Sequence, residues 1–128
     1  MVFLADSDVI IWLLRSHAPT VRLFTEQIKE TIICSVASVY EVWTGVFPRE
    51  KEMTRRLLER MFPIPITAEI AYVAADYRSS FRRQGVTLGH MDTIIAATAK
   101  VEGLVLLTYN RPHFPMDDIV IYDDMPTF

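Results

Sequence analysis

Short apolar runs alternate with longer amphipathic stretches along the whole chain. Residues 2–5, 32–35, 104–108 and 119–122 are each four or five long and dominated by apolar side chains, which predicts strands. Between them the spacing predicts helices over 8–15, from Pro19 to about 29, around 39–46, from Pro48 to about 61, from Thr67 to before Gly85, and over 89–102. Pro19 suits a first helical turn. Thr67 is the expected N-cap of a helix with Ile70, Val73, Ala74 and Tyr77 on one face, and Gly103 the expected left-handed residue closing the next. Residues 62–66, punctuated by Pro63 and Pro65, read as a connection or an edge strand. Strand and helix in alternation argue for βα units, an α/β fold and a mainly parallel sheet. With no internal repeat, low-complexity tract or linker, all 128 residues are expected to form one domain around a single core.

Four polar positions interrupt this pattern where an apolar run ends or a helix has just begun: Asp6, Glu41, Asp92 and Asn110. In an α/β sheet such positions meet at one rim, because ligands bind outside the carboxyl ends of the strands. Three acids gathered there repel one another unless a cation holds them, which points to a hard divalent metal with oxygen ligands. Local accounts exist for each position. Asp8, next to Val9, fits the N-cap of the first helix, leaving Asp6 for chemistry. Glu41 completes the capping box Ser38-Val39-Tyr40-Glu41. Asp92 suits the positive end of its helix, and Asn110 suits a turn. No local account explains why all four fall at the same predicted rim.

A composition of 51% hydrophobic and 23% charged residues excludes disorder. The net charge of −3 argues against broad electrostatic capture of nucleic acid, although a metal cluster would account for part of the negative count. Arg82 and Arg83, or the row Arg49, Lys51, Arg55, Arg56 and Arg60, are candidates for local phosphate contacts; the i,i+4 spacing of Glu52 and Arg56 reads equally as a solvated helix face. Cys34, the single cysteine, lies in an apolar stretch and is expected to be a small buried hydrophobe, so no disulfide or zinc site can be built on it. The first residues lack a basic leader, and no apolar run approaches the ~20 residues that span a bilayer, so a soluble cytoplasmic protein is expected.

The order and flanks of the four positions resemble the PIN-domain ribonucleases, and especially the VapC-type toxins of toxin–antitoxin pairs. Phe3-Leu4-Ala5-Asp6-Ser7 is similar to the family's opening strand with its first acid. Ser38-Val39-Tyr40-Glu41-Val42-Trp43-Thr44-Gly45 is similar to its second motif. Asp92-Thr93-Ile94-Ile95-Ala96-Ala97-Thr98-Ala99, followed by Gly103 and the run Leu104 to Phe114 with Thr108 and Asn110, is the most specific match. The resemblance covers nearly the whole chain and implies a PIN-like three-layer α/β/α fold with a small, mainly parallel sheet. It implies Mg²⁺ or Mn²⁺ held by Asp6, Glu41 and Asp92, and hydrolysis of RNA to 5′-phosphate and 3′-hydroxyl ends. Asp6 and Asp92 would be direct or water-bridged ligands, and Glu41 a ligand or the group positioning the attacking water. Ser7, Thr108 and Asn110 would hydrogen-bond the carboxylates or the metal's waters. A cognate antitoxin and a homodimer are the implied partners, besides the RNA substrate. Two departures stand out: Asp8 occupies a position where the family often has Asn, and Asn110 one where many members carry Asp. His90, beside the third acid, is a candidate proton carrier or phosphate contact, or a solvated capping residue; His17 and His113 have no metal-pair spacing and are assigned nothing.

Two other readings compete. Asp6-Ser7-Asp8-Val9 resembles the nucleophile motif of haloacid-dehalogenase-type phosphatases, but Lys100 lies deep in a helix and no Gly-Asp pair follows. A catalytically weak PIN-like module acting through partners is the other, with Trp12, Leu13, Phe24, Ile28, Tyr40 and Trp43 as possible contact surface.

Overall fold

The computed structural model describes residues 1–127. Strands β1 (Val2–Ala5), β2 (Thr31–Ile33), β3 (Val105–Leu107) and β4 (Val120–Ile121) form one sheet in the order β2-β1-β3-β4, with every neighbouring pair parallel. Successive strand side chains point to opposite faces. Phe3, Ala5, Val105 and Leu107 accordingly pack on one side, and Leu4 and Leu106 on the other. Both faces are covered, which is why these strands read as continuous apolar runs.

Helices α1 (Ser7–Leu14), α2 (Ala18–Arg22), α3 (Val36–Thr44), α4 (Lys51–Arg60), α5 (Ala68–Arg83) and α6 (His90–Glu102) supply the outer layers. Val9 and Ile10 of α1, Leu23, and Leu58 of α4 cover the first face, whereas Ile95, Ala96 and Ala99 of α6 cover the second. Helix α3 contributes Val42 to one core and Ala37 to the other. Ile70 and Ala74 of α5 close on Ala97 of α6. Each fully buried Leu or Ile of this kind contributes roughly 1.5–3 kcal/mol. The result is the α/β/α layering that the resemblance implied.

Local differences from the sequence reading are few. Helix α3 starts at Val36, three residues before the predicted 39, because Ser35 and not Ser38 is its N-cap, accepting from the Ala37 N–H at 3.0 Å. The capping box that would have explained Glu41 therefore does not form. Ser35 also makes a single parallel bridge to Ile64, so segment 62–66 touches the sheet edge through one residue pair. Cys34 is fully buried there, and burial pushes its thiol up to about 12. The helix predicted from Pro19 to about 29 is α2 followed by one π turn, Leu23–Gln27. Thr67 caps α5 as expected, accepting from the Ile70 N–H at 3.2 Å, and Gly103 closes α6 at φ +65°. Among the described residues, no helix is long and apolar enough to cross a membrane.

Candidate active site

From β1 the chain moves out to β2 on one side and returns to β3 on the other, so the sheet's switch point lies between β1 and β3. Asp6 follows β1 directly at this point, and its N–H donates to Leu107 O of β3 at 2.9 Å. Its side chain is only 5% exposed. Oδ1 accepts from the Ser7 N–H at 2.8 Å and Oδ2 from Thr108 Oγ1 at 2.8 Å. Burial, and then the neighbouring charge of Asp8, push the Asp6 carboxyl up to about 8 despite these two hydrogen bonds. Asp6 also stands at the N-cap position of α1, where the sequence reading had placed Asp8.

Ser7 joins the first acid to the second. Its N–H serves Asp6, while its Oγ donates to Glu41 Oε1 at 2.5 Å and lies 3.2 Å from Ser38 Oγ. Glu41 thus turns off α3 toward the rim. Beside it a groove of about 240 Å³ runs between α1, α3 and the start of α4, lined by Ile11, Leu14, Arg15, Val42, Phe47 and Met53.

Asp8, inside the first turn of α1, reaches across to the loop after β3. Its Oδ1 accepts from the Val9 N–H at 2.7 Å; its Oδ2 accepts from the Tyr109 N–H at 3.1 Å and from Asn110 Nδ2 at 2.9 Å. The two positions that depart from the family pattern are therefore hydrogen-bonded to each other. Burial raises the Asp8 carboxyl as well, opposed by the hydrogen bonds from the Tyr109 and Val9 N–H groups.

The third acid, Asp92 in the first turn of α6, is close enough to Asp6 and Asp8 for its charge to raise both. Burial raises Asp92 itself, partly offset by His113, whose Nδ1 is 3.4 Å from Asp92 Oδ2. Gly89 leaves that carboxylate its room: a Cβ there would lie 3.0 Å from Asp92 Oδ2. The imidazole beside the third acid is thus that of His113, which sequence reasoning left unassigned, and the adjacent His90 is exposed. The only signal for His113 was its position three residues after Asn110, in the short turn Arg111–His113.

Other candidates fall elsewhere. Lys100, which a phosphatase would need at the site, pairs instead with Asp118 at 2.8 Å. Lys51 and Arg55 lie over the Trp43 ring and Arg49 over Phe47, while Arg56 pairs with Glu52 at 2.6 Å. Trp12, Leu13, Phe24, Ile28 and Trp43 are wholly or partly buried; Tyr40, 63% exposed, is the exception.

Among the described residues, no lysine or arginine forms an ion pair with Asp6, Asp8, Glu41 or Asp92. Nor do three His, Cys, Asp or Glu side chains stand together as a complete metal cage. The donor chemistry nevertheless fits Mg²⁺ or Mn²⁺. The acids offer oxygen donors, no lysine or arginine pairs with them among the described residues, and Mg²⁺ typically keeps several waters while using one or two carboxylates plus substrate phosphate.

Comparisons with known proteins place the fold and the family. A family model described as the PIN domain matches residues 3–115. Ribonuclease VapC10 of Mycobacterium tuberculosis is 36% identical over 116 residues, spanning 90% of this chain and 87% of that protein. Among solved structures, a toxin–antitoxin complex from Klebsiella pneumoniae superposes with a TM-score of 0.80 at 25% identity, over 94% of this chain and 96% of that one. DNA-bound VapBC from Salmonella typhimurium reaches 0.83 at 20% identity, over 95% and 97%, a likeness of fold alone.

Proposed function

Since this chain belongs to the PIN-domain family, we propose that it is a divalent-metal-dependent endoribonuclease, the toxin of a toxin–antitoxin pair, acting as one domain in the cytoplasm. What supports the reading is Asp6 at the β1–β3 switch point, with Ser7 bonded to Glu41, the charge of Asp92 near enough to raise Asp6, and no lysine or arginine paired to the three acids among the described residues.

Asp6 and Asp92 would hold Mg²⁺ or Mn²⁺, with Glu41 as a third ligand or as the group orienting the water. When bound, such an ion polarises a phosphoryl oxygen and lowers the pKa of a coordinated water. The chain's own residues do the rest. Thr108 and the Ser7 N–H fix the Asp6 carboxylate through two hydrogen bonds, so that it presents one geometry. Ser7 Oγ holds Glu41 at the rim until substrate and ion compete for it. The water oxygen bonds to phosphorus as the P–O3′ bond breaks; the attacking water's proton leaves toward Glu41, and the departing 3′ oxygen takes a proton from a solvent water, whose hydroxide is neutralised by the proton Glu41 releases. The products are a 5′-phosphate and a 3′-hydroxyl.

The test is cleavage of RNA by purified protein with Mn²⁺, and its loss with EDTA, Asp6→Asn or Asp92→Asn. Undiminished cutting in those variants would overturn the assignment. An antitoxin is the proposed partner, as in the Klebsiella toxin–antitoxin complex, with the groove beside Glu41 as its proposed seat, and a homodimer is the proposed assembly. RNA binding without metal-dependent cleavage would favour the binding-module reading instead.

A further inference from the structure

The first turn of α1 is fastened to the loop after β3 at two points. Asp6 holds Thr108, whose Oγ1 in turn accepts the Asn110 N–H at 3.0 Å. Asp8, two residues on, holds the next two residues, through the Tyr109 N–H and the Asn110 side-chain amide. The Asp8 carboxylate has no lysine or arginine partner among the described residues, and its hydrogen-bond donors are the N–H groups of Val9, Tyr109 and Asn110. Because Asn110 offers its Nδ2 to Asp8, its side chain is engaged as a donor to a carboxylate.

We propose that Asp8 and Asn110 form a carboxylate–amide clamp that holds the Thr108 loop against Asp6, making Asp8 a positioning residue for cleavage and Asn110 its partner instead of a metal ligand. The proposal rests on the ribonuclease reading for its effect on cleavage, but not for the clamp itself. The chemistry of the pair is reciprocal. An aspartate at 110 would set two carboxylates against each other at the present 2.9 Å contact, which neither side can relieve without a proton or a cation. An asparagine at 8 keeps one acceptor oxygen and loses the charge that strengthens the hydrogen bonds. Exchanging both residues restores one carboxylate and one amide, with donor and acceptor reversed.

The experiment is a double-mutant cycle of Asp8→Asn, Asn110→Asp and the pair, read as Tm without metal and as kcat and KM for RNA cleavage with Mn²⁺. We expect Asn110→Asp to lower Tm and to reduce kcat about tenfold, with KM little changed, and the double variant to recover most of both losses. Asn110→Ala, which deletes the amide without adding charge, moves both readouts in the same direction by less. An additive Tm cycle overturns the clamp whatever the cleavage result. A coupled Tm cycle with an additive kcat cycle overturns the positioning role and leaves a structural contact. Wild-type protein that never cuts RNA counts against the ribonuclease reading and with it the positioning role, while the Tm cycle still decides the clamp.

Discussion

Two acidic corners of this molecule treat the same side chain in opposite ways. At Asp118, in the loop between β3 and β4, burial is the largest single influence and raises the carboxyl, but the hydrogen bonds from Lys100 and Tyr77 and the charge of Lys100 together outweigh it, and its pKa falls below the usual value. At Asp6 burial is far deeper and the nearest charge is another acid, so the carboxyl is driven up to about 8. One corner is electrostatically closed by protein groups. The other has no lysine or arginine paired to it among the described residues, and a buried acid with a strongly raised pKa beside other acids is a functional signature.

The largest expected contrast is in turnover. Asp92→Asn should lower kcat for RNA cleavage on the order of a thousandfold, comparable to losing a principal stabiliser of the transition state, while Asp118→Asn leaves it within about twofold. Equal losses at both positions in a cleavage assay would erase the distinction between the corners.

A smaller effect separates them by pH. The folded pKa of Asp6 is raised, so its contribution to stability is full below the unfolded value of 3.8 and is lost as pH rises toward about 8. A divalent ion must bind the ionised form, so it reverses that loss. Differential scanning fluorimetry should show a rise in Tm on adding Mn²⁺ that is larger at pH 8 than at pH 5, and that shrinks in Asp6→Asn. At Asp118, with its lowered pKa, Asp118→Asn should leave the Mn²⁺ response intact.

The smallest effect tests the room around Asp92. Gly89→Ala would bring a methyl group to 3.0 Å from Asp92 Oδ2, so the carboxylate must give way by a few tenths of an ångström. The expected result is a several-fold weaker response to Mn²⁺ in a titration of cleavage rate, with Tm in the absence of metal little changed.

Much of this arrangement was legible before the coordinates, because Asp6, Asp92 and Asn110 each mark the end of an apolar run or the opening of a helix, and periodicity locates such borders well. Alternation of strand and helix gave the parallel sheet for the same reason, whereas the layering came from the family resemblance. What periodicity resolves poorly is a shift of two or three residues. Asp6-Ser7-Asp8 contains two good N-caps, and the structure uses the first where the sequence favoured the second. Ser35 and Ser38 pose the same ambiguity, and the choice of Ser35 removed the local explanation for Glu41. His113 and the Asp8–Asn110 contact were invisible because they depend on how a loop folds back over 21 residues in one case and 102 in the other. The π turn after α2 had no sequence signal that the spacing of apolar residues could carry.

Cys34 carries a practical consequence. A thiol with no solvent exposure, held mostly protonated at neutral pH, is a poor target for maleimides, nitroxides or disulfide exchange. The native chain is therefore a silent background for site-directed labelling. A cysteine placed on the outer face of α4 or α5 can be tagged selectively with a fluorophore or spin probe, and distances across the groove beside Glu41 can be followed without first removing the natural sulfur.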